Sequence, residues 1–163
     1  MHGLVEALPD LKLVKRTITR APGLGGEDYE AVLEQEFDMR AAAGDFCLFW
    51  EAHGLMYGVP DTVRARVARG EHLLVNLSRA VLLDAQEVFP ELVTLNITAR
   101  PETLAHRLAG RGRESEAEIA KRLARATNPL PPGAKVIDLS NDGSLGDTIQ
   151  NAIEILYPDQ VLT

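Results

Sequence analysis

The chain has 163 residues, 45% of them hydrophobic, enough for one sizeable core and hardly for two, so a single domain is expected. Its 24 acidic against 17 basic side chains give a formal charge of −7, which repels polyanionic backbones and sets nucleic acid aside as a partner. No apolar run approaches the roughly 20 residues that cross a bilayer, no secretory signal opens the chain, and the single cysteine, Cys47, forbids an internal disulfide; a reducing cytoplasm suits such a chain.

Residues 4–8 read as the end of a helix stopped at Pro9-Asp10, and residues 11–19, rich in β-branched side chains, as a strand. Gly23, Gly25 and Gly26 form a loop after Pro22. Residues 30–43 carry Val32, Leu33, Phe37, Met39 and Ala43 at near-helical spacing, which predicts a helix ending at Gly44. The apolar run 46–50 and the segment Met56-Tyr57-Gly58 flank a turn at His53-Gly54, the pattern of a small hairpin. Pro60 opens a further helix that Gly70 closes. Residues 72–77, 92–98 and 135–139 are brief apolar runs with helical segments between them, among these 102–109 and 116–126, separated by the charged loop 110–115. That alternation predicts an α/β domain with a parallel sheet and helices on both faces. A Pro-rich stretch, 128–133, precedes the last strand, and residues 148–156 close the chain as a helix.

Basic side chains gather at 12–20, 64–69 and 107–125, so the acidic average is compatible with a local anion site, and small phosphorylated ligands fit that pattern. Within and between these clusters run TITRAP, GGEDYEAV, EFDMRAAAGDF, AHGLMYGVP, GEHLLVNLSRA and LAHRLAGRGRESEAEIAKRLARA. A single such block arises by chance, but the ordered series over residues 11–126 resembles the guanylate-kinase-like family of P-loop kinases. The resemblance implies a nucleoside-monophosphate-kinase-like fold: a core of residues 1–21, 62–109 and 125–163, a substrate-binding insertion at 22–61, and a lid at 110–124. Phosphoryl transfer asks a protein chiefly for positioning and positive charge, because negative charge spreads over the migrating oxygens. Arginine supplies both.

On this resemblance Arg20 grips the acceptor's phosphate together with the hydroxyls of Tyr29 and Tyr57. Taken singly, Arg20 would read as a solvated strand-end charge and the tyrosines as half-buried packing. Arg111 and Arg122 match the lid arginines that close on the nucleotide phosphates, with Arg107 and Arg113 as helpers and Arg107 and Arg111 as the nucleotide-binding pair. The alternative for these four is a charged helix surface, since Glu114, Glu116 and Glu118 offer partners at i,i+4.

Guanine recognition in such kinases needs polar groups where this chain has Leu48 and Val59, and an aspartate where it has Asn76; Gly23 stands where a second phosphate-gripping arginine is expected. A missing hydrogen-bonding partner costs orders of magnitude in discrimination, so guanylate is a poor acceptor. RTITR, the shortened GGEDY, AHGLMYG and VNLSRA instead resemble the ribose 1,5-bisphosphate phosphokinases, which use ATP and Mg²⁺ to make 5-phosphoribosyl 1-diphosphate. Asn76, Ser78 and Arg79, at the C-terminal end of a core strand, then face the sugar bisphosphate; for Asn76 a strand-end cap is the alternative. His53 is a candidate for hydrogen bonding to the ligand or for the turn itself, and Trp50 reads as packing. No histidine has zinc-ligand spacing.

The resemblance also implies a strand and a Gly-rich loop ending in Lys-Ser/Thr that would cradle the nucleotide, and nothing in the sequence matches them. In the family's strand order, 2-3-1-4-5, that strand is the central one. Its loss would leave buried edges unpaired at about 1 to 3 kcal/mol per group. The expectation is a sequence that continues upstream, with no phosphotransfer by the 163 residues alone; a noncatalytic phospholigand-binding module is the other class.

Overall fold

The strand expected over residues 11–19 divides in two. A computed structural model describes residues 1–24, 26–111 and 129–158, without the side chains of 108–111. In it, helix α1 (His2–Ala7) leads into β1 (Leu11–Leu13), which pairs in parallel with β6 (His72–Leu74), a ladder that the Val14 N–H to Leu74 carbonyl bond extends at 2.9 Å. The chain then leaves that ladder, and β2 (Arg16–Ile18) enters a different sheet. A run of β-branched residues carries no mark of which sheet each half joins.

The second sheet has the order β3-β2-β5-β4, with β3 (Tyr29–Ala31), β4 (Phe46–Ala52) and β5 (Leu55–Pro60). β3 occupies what the spacing read as the first turn of a helix. Its backbone pairs with β2, Arg16 opposite Tyr29, and the Thr17 hydroxyl donates to Glu30 at 2.7 Å, so the helix α2 (Glu34–Ala43) starts only after Leu33. It ends at Gly44 as expected, with φ at 82°. β4 and β5 form the predicted hairpin, turned by His53 and Gly54 at φ 55° and 69°. Two successive positive φ values are what a two-residue turn needs to match the twist of its strands.

Helix α3 (Thr62–Ala68) leads through Gly70 into β6, and a 3₁₀ turn, Arg79–Val81, opens α4 (Leu82–Val88). The core of this first compact unit, Met1–Leu92, gathers Ile18, Leu48, Trp50, Tyr57, Val59, Val81 and Ala85. Phe37 of α2 stacks on Phe46 with ring centroids 4.7 Å apart. Cys47 is buried, which pushes its thiol pKa up and leaves it an unreactive packing group, as its apolar surroundings suggested.

The second compact unit, Val93–Thr163, contains β7 (Leu95–Thr98), α5 (Pro101–Arg111), β8 (Ile137–Ser140) and α6 (Leu145–Leu156). β7 and β8 pair in parallel, Leu95 opposite Ile137 through Thr98 opposite Ser140. α6 begins at Leu145 rather than 148 because Ser144 and Asp147 form a reciprocal capping box. The ladders β1-β6 and β7-β8 are the 2-3 and 4-5 pairs of the expected order, and among the described residues no ladder joins them. The helix predicted at 116–126, with Arg113 and Arg122, lies outside the described residues.

Candidate functional site

In the first unit a cavity of about 250 Å³ opens where the end of β2, the β4-β5 hairpin and the segment after β6 meet. Arg20, Tyr57, Asn76 and Ser78, four of the residues picked out in the sequence, line it, with His53 at the hairpin turn. Arg20 donates to the Tyr57 hydroxyl at 3.1 Å, and its guanidinium carbon lies 5.5 Å from the centroid of the Tyr29 ring. Tyr29 spends its own hydroxyl proton on the Ala21 carbonyl. Of the three residues the resemblance assigned to phosphate gripping, Arg20 thus touches both tyrosines.

Tyr57 is nearly buried and stacks on Trp50, with centroids 5.4 Å apart and planes 7° from parallel. Trp50 is therefore both packing and cavity wall. Ser78 caps the 3₁₀ turn by accepting from the Ala80 N–H at 3.4 Å, and Arg79 is the first residue of that turn. Asn76 contributes its backbone carbonyl, which accepts from Arg16 at 2.9 Å.

Arg16 also lines the cavity, and sequence reasoning passed over it. Its guanidinium lies over the Tyr57 ring at 5.1 Å and the Trp50 ring at 5.7 Å, and it donates to both carboxylate oxygens of Glu27 at 2.5 and 2.6 Å. One signal for it was present: in an extended segment residues i and i+4 share a face, so RTITR places Arg16 on the same face as Arg20. At the back of the same sheet, the Thr17 hydroxyl, outweighing partial burial, and then Arg40 hold the Glu30 carboxyl below the usual range.

Leu48 and Val59 are core residues, so neither position gives a purine base anything to hydrogen-bond. Arg107, expected near the nucleotide, has its fork committed in the second unit, donating to the carbonyls of Asn141 and Gly143 at 2.5 and 2.9 Å. It secures the loop between β8 and α6. Arg111 is the last residue of α5, and its side chain, like Arg113 and Arg122, is outside the description. Among the described residues no group of three or more His, Cys, Asp or Glu could hold a metal. The described residues contain no Gly-rich loop ending in Lys-Ser/Thr of the kind that cradles a nucleoside triphosphate. No helix of the described residues is long and apolar enough to cross a membrane.

No family model matches the chain. A ribose 1,5-bisphosphate phosphokinase PhnN of Ruegeria sp. is 48% identical over 161 residues, covering 98% of this chain and 85% of that relative. One of the same name from Pantoea vagans is 46% identical over 149 residues, covering 91% and 83%. Among solved structures, guanylate kinase from Anaplasma phagocytophilum matches with a TM-score of 0.73 at 22% identity, over 98% of this chain and 79% of that one, a likeness of fold.

Proposed function

Since the chain belongs to the ribose 1,5-bisphosphate phosphokinase family, we propose that it serves ATP-dependent phosphoryl transfer to ribose 1,5-bisphosphate in the cytoplasm, giving 5-phosphoribosyl 1-diphosphate. The observation that carries this reading is the Arg20–Tyr57 pair on the wall of a cavity whose neighbouring base-recognition positions are the buried Leu48 and Val59. An arginine whose plane is fixed before the ligand arrives loses little freedom on binding a phosphate. Tyr29 supports it from beneath, and Ser78 and Asn76 stand on the wall where sugar hydroxyls would be held.

The attacking group in this reaction is a phosphate oxygen of the acceptor. With a second pKa near about 6, that phosphate is already ionised at neutral pH, so the site needs no general base. The carboxylate on the cavity wall, Glu27, accepts from Arg16 through both of its oxygens. In this reading Arg111 and Arg122 come from the lid to neutralise the migrating group, and Mg²⁺ accompanies ATP to offset the charge of its phosphates.

The test is ³¹P NMR of the protein, expressed from its full reading frame, with ATP, Mg²⁺ and ribose 1,5-bisphosphate. The expected result is the growth of diphosphate signals at the expense of ATP, abolished by a chelator, and no turnover of guanylate. Preferred phosphorylation of guanylate would contradict the reading. Binding of ribose 1,5-bisphosphate without any transfer would mark a noncatalytic phospholigand-binding module instead.

A further inference from the structure

Arg16 is a buried charge on the wall of a cavity, with its donors only partly satisfied. Its side chain is 7% exposed, yet its charge is met by a single carboxylate, Glu27, which is 30% exposed. Both oxygens of that carboxylate fall on one terminal nitrogen, the other terminal nitrogen holds the Asn76 carbonyl, and Nε is buried with no partner. A guanidinium offers five N–H donors in a planar fork, and a carboxylate on one nitrogen satisfies few of them. A phosphate group, with more oxygens and more charge, satisfies the fork better.

The placement agrees with the donor count. Arg16 and Arg20 both line the cavity and both touch Tyr57, one over its ring and one at its hydroxyl. Arg16, Glu27 and Asn76 also line a second cavity of about 570 Å³, so the Arg16–Glu27 pair is a partition between two spaces. Glu27 is carried by the connection from β2 to β3, next to Gly26, where an added Cβ would meet nothing within 4 Å. That side of the partition has room to yield, whereas Arg16 is held against two stacked aromatic rings and a backbone carbonyl.

We propose that Arg16 is a second phosphate-binding group of the acceptor cavity, engaged by a sugar bisphosphate and not by a monophosphate, and that Glu27 covers it until the ligand's phosphate takes the carboxylate's place. The inference rests on the reading above that the acceptor is a sugar bisphosphate. One phosphate sits on Arg20 and the hydroxyl of Tyr57, the other on Arg16. Glu27 is then a competitor for the ligand rather than a support for it, which makes the effect of removing its charge opposite in sign to that of a structural ion pair.

Trp50, the chain's one tryptophan, stacks on Tyr57 beneath Arg16 and reports on both sites by its fluorescence. The experiment titrates the full chain with ribose 1,5-bisphosphate and with ribose 5-phosphate, in wild type, Glu27→Gln and Arg16→Lys. The expected results are three: a wild-type preference for the bisphosphate, a gain of about tenfold in bisphosphate affinity in Glu27→Gln with less than about threefold for the monophosphate, and loss of the preference in Arg16→Lys. Weaker binding of both ligands in Glu27→Gln would overturn the inference, and this variant decides the question even if Arg16→Lys fails to fold. A wild-type preference that survives in Arg16→Lys would overturn it while leaving the bisphosphate reading intact. Equal binding of the two ligands by wild type would sink both.

Discussion

Arg20, two residues past the end of β2, and Tyr57 of β5 share a hydrogen bond of 3.1 Å on the wall of the first cavity. The guanidinium is the charged partner, so the two side chains should not contribute equally. Arg20→Ala is expected to raise the acceptor's KM by about 10- to 100-fold, the worth of a charged hydrogen bond, with a smaller effect on kcat. Tyr57→Phe keeps the stack on Trp50 and should cost about tenfold or less. Steady-state kinetics on the two variants check this; a larger loss in Tyr57→Phe than in Arg20→Ala would contradict it.

The lid arginines should behave in the opposite way. If Arg111 and Arg122 meet charge that develops only during transfer, Arg111→Ala and Arg122→Ala lower kcat by about 10²- to 10³-fold while leaving the acceptor's KM near wild type. A rise in KM at unchanged kcat would place both on the ground-state side of the reaction.

Gly58 lies in β5 where an added Cβ would come within 2.7 Å of the Phe46 ring. That ring cannot retreat freely, because it stacks on Phe37 and lies beneath the Arg40 guanidinium at 5.2 Å. Gly58→Ala is therefore an overpacking change expected to cost about 1 to 3 kcal/mol. Denaturant unfolding measures it. The double variant Gly58→Ala, Phe46→Leu should lose less than the two single variants combined, since the smaller side chain makes room; strict additivity would show that the contact is not the cause.

Asp142, at the turn after β8, accepts from the Thr103 hydroxyl, the Arg100 N–H and the Ser140 hydroxyl, and these hold its pKa down at about 2 from an ordinary 3.8. A carboxylate with a depressed folded-state pKa stabilises above its unfolded value, and that contribution fades as pH falls through the folded value. The melting temperature of Asp142→Asn should thus lie below wild type at neutral pH, with the gap closing between about pH 4 and pH 2. A gap independent of pH would assign the loss to geometry rather than to charge.

The parts of the fold that the sequence announced are those governed by local rules. His53-Gly54 turns the hairpin because two left-handed positions in a row restrict residue choice, and Gly44 and Gly70, both at positive φ, follow the helices they were expected to end. The break between β1 and β2 was illegible, as was β3, because each is decided by which distant backbone offers hydrogen bonds. The site divides along the same line. Arg20, Tyr29 and Tyr57 were picked out through motifs, whereas the setting of Arg16 depends on Glu27, 11 residues away, and on the Asn76 carbonyl, 60 residues away. Arg107 was expected to face a nucleotide, and its bonds to Asn141 and Gly143 come from a turn that no motif marks.

The most direct test of the whole account is a crystal structure of the protein soaked with ribose 1,5-bisphosphate. One phosphate is expected within hydrogen-bond distance of the Arg20 guanidinium and the Tyr57 hydroxyl, with the sugar carbons against the Trp50 side of the cavity. Phosphate density on some other surface, with Arg20 still bonded to Tyr57 and nothing beside them, would contradict it.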